Sequence, residues 1–179
     1  MSKLFKSMVA AIAISVLGAV VPVHAVECPS LELNQLYVLQ YSYDRGADEG
    51  IPMTLAAIAL VESEAGVHLV NNRSKDYGVY QNNRKTLCKQ AGYGYYTAAC
   101  SREVKRVTNN ITLAADHAIE TFNWWMDYHK NRTGSDKAAI ELAVRSYNAG
   151  FNYDSNKATN YWKNFYKAYN MLDKCVRFD

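Results

Sequence analysis

The stretch from residue 51 to residue 66 constrains this chain most, because its pattern predicts a core helix that carries a carboxylate on its apolar side. Pro52 suits a first helical turn, and Gly66 can take the left-handed conformation that ends a helix. The apolar stripe of this helix contains Leu55, Ile58 and Ala59, and the next position on it is Glu62. Burial raises the pKa of a carboxyl group, and an acid still protonated near neutral pH can act as a general acid. The alternative is an exposed glutamate at a helix end, or one paired with a cation.

The first 25 residues have the pattern of a signal peptide. Lys3 and Lys6 precede an apolar run over residues 8–21, and the segment Val23-His24-Ala25 forms a cleavage signal. We expect cleavage after Ala25 and a single exported domain over residues 26–179, periplasmic or extracellular. The apolar run just reaches spanning length, so an uncleaved anchor is the minor alternative and no stable membrane anchor is expected.

Charge and residue spacing exclude two other classes of function. The chain has 20 basic and 17 acidic residues, two of the basic ones in the signal peptide, so nothing indicates nucleic-acid binding. No CxxC or HxxxH spacing favours a metal site, and we expect no metal and no cofactor. The length suits one domain with a core of its own, and we expect a monomer.

Four cysteines in an exported chain predict two disulfides, for which three pairings exist. We favour Cys88–Cys100, which closes a short loop, and Cys28–Cys175, which ties the two ends of the domain together. The chain-entropy estimate gives roughly 3 kcal/mol for the short loop and somewhat more for the long one.

The remaining periodicity predicts a mainly α fold with a short irregular or β region after the acid-bearing helix. A weak alternation over residues 77–81 indicates a short strand or loop. Ser101 is the predicted N-cap of a long helical region that is kinked near Asn109, and its part over 111–129 is the predicted central core helix. One face of the first helix is formed by Leu33, Leu36, Tyr37 and Gln40. The predicted buried face of the helix over 137–148 is formed by Ile140, Ala143, Val144 and Tyr147. The other predicted helices cover residues 31–45, 84–90, 137–148 and 158–174.

Three short segments carry a family resemblance. They are Glu62-Ser63, the segment 78–81 with sequence Gly-Val-Tyr-Gln, and the segment 146–150 with sequence Ser-Tyr-Asn-Ala-Gly. In this order the chain resembles the soluble lytic transglycosylases of the lysozyme-like superfamily, which show Glu-Ser, Gly-Leu-Met-Gln and Ala-Tyr-Asn-Ala-Gly. The resemblance spans residues 50–150 and implies an α+β lysozyme-like fold.

This sequence departs from the family pattern in three places. Val79-Tyr80 replaces Leu-Met, Ser146 replaces Ala, and Asn82-Asn83 stands where Ile-Asn is common. These changes bear on groove shape more than on the acid. The segment 74–78 looks like the loop of small transglycosylases from conjugation and secretion machinery, and also like that of C-type lysozymes.

The resemblance implies peptidoglycan as substrate, cut at the β-1,4 bond between N-acetylmuramic acid and N-acetylglucosamine. Glu62 would protonate the leaving oxygen and then, as a base, activate the muramic acid 6-hydroxyl to give a 1,6-anhydro product. Ser63 would contact sugar or hold the loop, and Tyr147 with Asn148 would orient Glu62 or contact sugar. The expected groove residues are Gly78, Tyr80 and Gln81.

Two rival functions remain open. Asp76 is either a turn residue or the second carboxylate of a hydrolytic muramidase with Glu62 as its acid. A protein of another class, one that binds the cell wall or serves an assembly without catalysis, would keep the fold and lose the chemistry. The biological setting implied by small size is an accessory role beside a secretion, conjugation or phage assembly.

Overall fold

The computed structural model describes residues 28–179, so the predicted signal peptide lies outside the described part. No helix among these residues is long and apolar enough to span a membrane. The elements, in chain order, are α1 (Leu33–Ala47), α2 (Pro52–Ser63), β1 (Val70–Asn71), β2 (Asp76–Tyr77), β3 (Asn82–Asn83), α3 (Arg84–Gln90), α4 (Ala98–Asn109), α5 (Ile111–Thr133), α6 (Asp136–Ala149), a 3-10 turn (Gly150–Asn152) and α7 (Asn156–Cys175). The mainly α, lysozyme-like fold predicted from sequence is confirmed.

Helix α2 occupies the centre of the described domain. Residues 55–59 are all fully buried, so the helix is enclosed on every side and not along one stripe. Helices α1 and α7 pack against it. The prediction that α5 is the central helix is therefore wrong. α5 is amphipathic: its predicted stripe is largely buried, but Asp116, Glu120 and Trp124 on its other face are exposed.

The face of α1 that carries Leu33, Leu36 and Tyr37 is exposed. Leu33 and Tyr37 are 80% and 63% exposed, because the first turns of this helix extend beyond the core. The buried positions are Leu39, Ser42 and Gly46, in its later turns. A Cβ at Gly46 would stand 2.8 Å from a backbone oxygen of the segment that leads into α2, so only glycine allows this close approach.

Two smaller predictions need correction. Helix α4 begins earlier than expected, because Thr97 and not Ser101 is its N-cap, accepting a hydrogen bond from the Cys100 N–H. The expected kink at Asn109 is a full break, since Asn110 caps α5. In α6, Ile140 is 39% exposed and the buried residues are Ala139, Ala143, Val144 and Ser146.

A small antiparallel sheet, in the order β1-β2-β3, replaces the single strand or loop predicted after α2. Asp76 pairs with Asn71 on one side and with Asn83 on the other. Two disulfides complete the fold, Cys28–Cys175 and Cys88–Cys100, and both favoured pairings are confirmed. The first joins the segment before α1 to the end of α7, and the second joins α3 to α4.

Candidate active site

The end of α2 places Glu62 at the edge of the sheet. The helix stops at Ser63 because Glu64 and Ala65 both take the left-handed conformation, with φ of 53° and 54°, so the chain turns before the expected stop at Gly66. The buried Ser63 hydroxyl donates to the Val79 carbonyl oxygen at 2.6 Å and accepts from the Gly66 N–H at 2.8 Å. Its hydroxyl is fully used in holding this turn. The predicted sugar contact of Ser63 is therefore corrected to its second predicted role, holding the loop.

The loop after β2 is fixed by contacts inside the protein. Gly78 has φ of +77°, and a Cβ there would lie 2.9 Å from the Val107 carbonyl oxygen, so its close approach is to α4 and not to a ligand. Tyr80 is fully buried, and its hydroxyl shares a hydrogen bond with the Ser42 hydroxyl at 2.8 Å. Neither residue lines the cavity described below, which corrects their prediction as groove residues.

A cavity of about 340 Å³ opens beside Glu62. Residues reach it from the end of α2, the sheet, α3, α5, the end of α6 and the start of α7. The predicted residues that line it are Glu62, Asp76, Gln81, Tyr147 and Asn148. Positions separated by as many as 86 residues in sequence thus share one cleft.

The Glu62 carboxyl group is held by one strong hydrogen bond. The Tyr161 hydroxyl, from α7, donates to Glu62 Oε1 at 2.5 Å. Burial raises the pKa of Glu62 to about 7, against the opposing effect of the Tyr161 bond; the Asp76 charge raises it further and Lys157 lowers it. Near neutral pH this carboxyl group is present both as acid and as carboxylate, which is the state a general acid and base needs.

Tyr147 and Asn148 both line the cavity but differ in their hydrogen bonds. The Tyr147 hydroxyl donates to the Tyr80 carbonyl oxygen at 2.9 Å, so it ties α6 to the loop and does not orient Glu62. Burial, aided by the Glu62 charge, raises the pKa of Tyr147 well above its ordinary value. Asn148 Oδ1 is buried at the cavity and has no hydrogen-bond partner among the described residues. A buried acceptor without a partner is costly, so a donor from a bound ligand would satisfy it.

Gln81 both lines the cavity, as expected of a groove residue, and holds the loop in place. Its Nε2 donates to the His68 carbonyl oxygen at 3.0 Å and to the Gly78 carbonyl oxygen at 2.9 Å, which braces the loop. The residue also lines the cavity. Its backbone has φ of 48°, a left-handed conformation that is uncommon outside glycine and marks strain next to the site.

Asp76 is a strand residue and not the turn residue of the simpler interpretation. It lies in β2, and its Oδ1 accepts a hydrogen bond from Asn83 Nδ2 at 2.8 Å. It lines the same cavity as Glu62, and its charge contributes to the raised pKa of Glu62. Two carboxyl groups therefore line the cavity: that of Glu62, which accepts a hydrogen bond from Tyr161, and that of Asp76, which accepts one from Asn83.

Two site residues were missed from the sequence, Tyr161 and Lys157. Tyr161 lies on the apolar face of α7, and this position indicated only that its ring packs in the core. The one hint of a further role was its hydroxyl group, because a buried tyrosine needs a hydrogen-bond partner. Lys157 lies at the start of α7, is exposed and lines the cavity. No sequence pattern connects these positions with Glu62.

Ser146, where the family pattern has Ala, forms a buried hydrogen bond of 2.8 Å with His129 Nε2. The extra hydroxyl is thus satisfied by α5, next to Tyr147 and Asn148. Burial lowers the pKa of His129, which favours the neutral ring. The pair connects α5 to the last turn of α6 under the cavity.

A model of the transglycosylase SLT domain family matches residues 42–170. The chain belongs to this family, whose members are lytic transglycosylase-type proteins that act on peptidoglycan. No curated protein and no solved structure matches the chain. Within residues 28–179, no three His, Cys, Asp or Glu side chains are grouped as metal ligands.

Proposed function

We propose that this chain is a lytic transglycosylase that cleaves the β-1,4 bond between N-acetylmuramic acid and N-acetylglucosamine with Glu62 as its catalytic acid and base. One observation carries the proposal: a carboxyl group with a pKa of about 7 faces the cavity and is fixed by Tyr161. In the first step protonated Glu62 donates its proton to the leaving glycosidic oxygen, as positive charge develops at the anomeric carbon.

In the second step the Glu62 carboxylate takes the proton from the 6-hydroxyl of the same muramic acid. That oxygen bonds to the anomeric carbon, which closes the 1,6-anhydro ring and returns Glu62 to its acid form. The Tyr161 hydrogen bond favours the carboxylate between the two steps. The nucleophile belongs to the sugar itself, so its effective concentration is high and no positioned water is needed. Asn148 Oδ1 is free to accept a hydrogen bond from the sugar.

Mass spectrometry of digested peptidoglycan tests this proposal. We expect anhydro-muramic acid ends, each lighter by one water molecule than a hydrolysis product. Glu62→Gln should abolish cleavage, since an amide can neither give nor take the proton. Glu64→Gln is the matched control, because Glu64 is exposed two positions further along the chain. Digestion by the Glu62→Gln variant would disprove the assignment, and a wild type that binds the wall without cutting it would establish the non-catalytic alternative.

A hydrolytic muramidase is the second candidate, because Asp76 lines the same cavity as Glu62. In such an enzyme Asp76 acts as nucleophile or stabilises the charged transition state, and Asp76→Asn abolishes the formation of reducing ends. For the transglycosylase, Asp76→Asn leaves the anhydro product unchanged. It also lowers the pKa of Glu62, because a neighbouring negative charge has been removed. The product of the wild type and the effect of this variant together separate the two mechanisms.

We further propose that the protein is exported and works on the cell wall as an accessory of a larger secretion, conjugation or phage assembly. The pattern of residues 1–25 and the two disulfides support export, since disulfides persist in oxidising compartments. The test is the mass of the protein recovered from the periplasm or medium, which should correspond to a chain that starts at Val26. Recovery of the full-length chain in the membrane fraction would contradict it.

A further inference from the structure

A second cavity, of about 690 Å³, adjoins the one beside Glu62. We call it the aromatic cavity; its lining includes Trp124, Trp125 and Phe151. The two cavities share five lining residues, Thr86, Gln90, Thr121, Trp125 and Gly150. A ligand that occupies the first cavity can therefore extend into the second without leaving the protein surface.

The aromatic side of this cavity is open to solvent. Trp124 is 52% exposed and Phe151 is 65% exposed, although both lie in an aromatic cluster with Trp125, at centroid distances of 4.6 Å from Trp124 and 5.0 Å from Phe151. Exposed aromatic rings grouped at a concave surface are typical of ligand contacts. Rings alone do not distinguish a sugar from a peptide.

The charges on the rim make that distinction. Lys85 and Lys89 are one turn apart on α3, both exposed, and neither forms an ion pair among the described residues. Glu120, from α5, is the single acidic residue of the lining. The sugars of a peptidoglycan strand offer no anion to these lysines, because the lactyl carboxyl group of muramic acid is linked to a peptide. The carboxylates of peptidoglycan belong to those peptides, which also offer an amine that Glu120 can pair.

We propose that the aromatic cavity binds the short acidic peptide attached to muramic acid, so that this chain prefers glycan strands that carry their peptides. This inference rests on the proposed function. Lys85 and Lys89 pair with peptide carboxylates, and the rings of Trp124 and Phe151 cover the aliphatic side chains. The groups are not catalytic residues; they determine which strands are held beside Glu62.

The experiment compares two substrates, glycan strands with their peptides and the same strands stripped of peptides by an amidase, with the freed lactyl carboxyl groups then converted to neutral methylamides so that the stripped strands carry no anion. We expect the Lys85→Gln/Lys89→Gln double variant to lower kcat/KM on peptide-bearing strands roughly fivefold, the effect of losing two exposed ion pairs, and to change stripped strands far less. The matched control is Lys163→Gln/Lys167→Gln, an exposed pair at the same spacing on α7 that lines a separate hollow. It should change neither rate. The wild-type preference should weaken at high salt.

Equal losses on both substrates would mean that the cavity holds sugar, and no loss on either would mean that it holds nothing; both results overturn the inference and leave the proposed function standing. Retention of the Glu62→Gln protein on the two strand preparations is measured in parallel, with and without the two lysine changes. If the wild type releases no anhydro product from either substrate, the proposed function fails. The retention assay still shows whether the lysines select peptide-bearing strands.

Discussion

Replacing Glu62 by glutamine should stabilise the protein at alkaline pH. The pKa of Glu62 is about 7 in the folded chain against 4.5 when exposed, so the folded state holds the proton more tightly. Between these two pH values the folded state binds more protons than the unfolded state, and stability falls as pH rises. Below about pH 4.5 the carboxyl group is neutral in both states and the penalty is absent. Above about pH 7 it is complete.

The shift corresponds to about 3 kcal/mol, which is an upper value because the side chain keeps partial contact with the cavity. Glutamine occupies the same volume, still accepts the Tyr161 hydrogen bond and carries no charge. We therefore expect Glu62→Gln to raise the free energy of unfolding by about 2–3 kcal/mol at pH 8 and by much less at pH 4.5.

Urea unfolding followed by circular dichroism, at both pH values and with the disulfides intact, measures the difference. Glu64→Gln is again the control, since that side chain is 66% exposed and should show little change at either pH. A gain for Glu62→Gln that is the same at both pH values would refute the reasoning, because it would come from packing and not from ionisation. No gain at pH 8 would mean that the carboxylate is well solvated in the folded protein.

Two further predictions concern the hydrogen-bond partner of this carboxyl group and the glycine of the loop after β2. Tyr161→Phe removes the bond that favours the carboxylate, so the alkaline fall of kcat/KM, expected near pH 7 in the wild type, should move up by about one pH unit. Tyr166→Phe, on an exposed position of the same helix, should leave the profile unchanged; an unmoved profile in Tyr161→Phe would show that the bond does not tune the acid. Gly78→Ala should lower stability by at least about 2 kcal/mol in thermal or urea unfolding, because its left-handed backbone is strained by a Cβ that also meets the Val107 carbonyl. Gly134→Ala shares the left-handed φ but has open space around it, so a loss as large there would contradict the role of the close approach.

Local patterns were sufficient for much of the framework. The proline at the start of α2 is a short-range signal, and the helices predicted over 84–90, 137–148 and 158–174 agree with α3, α6 and α7 to within two residues. The two disulfide pairings followed from loop length and chain ends. The predicted position of Glu62 on the inward side of α2 agrees with the cavity beside it.

Periodicity was less reliable for deciding what each face meets. Tyr80 belongs to a segment that the family resemblance, not periodicity, led us to expect in a groove, yet its ring is buried and its hydroxyl contacts Ser42 of α1. Ile140 has the spacing of a buried residue but lies at the edge of the domain. A repeat of 3.6 residues identifies the side chains that share one face of a helix. It does not identify the element that packs against that face.

Residue order alone establishes that one acid belongs to a helix too apolar to face water, within an order of motifs shared with a family of wall-acting enzymes. The pKa of that acid depends instead on contacts that the folded chain creates. Tyr161 is 99 residues away along the chain and Lys157 is 95, and both reach Glu62 because α7 packs against α2. Hydrogen bonds and charge interactions depend on distances of a few ångströms between groups in space. The number of residues that separate two groups in the sequence does not give this distance.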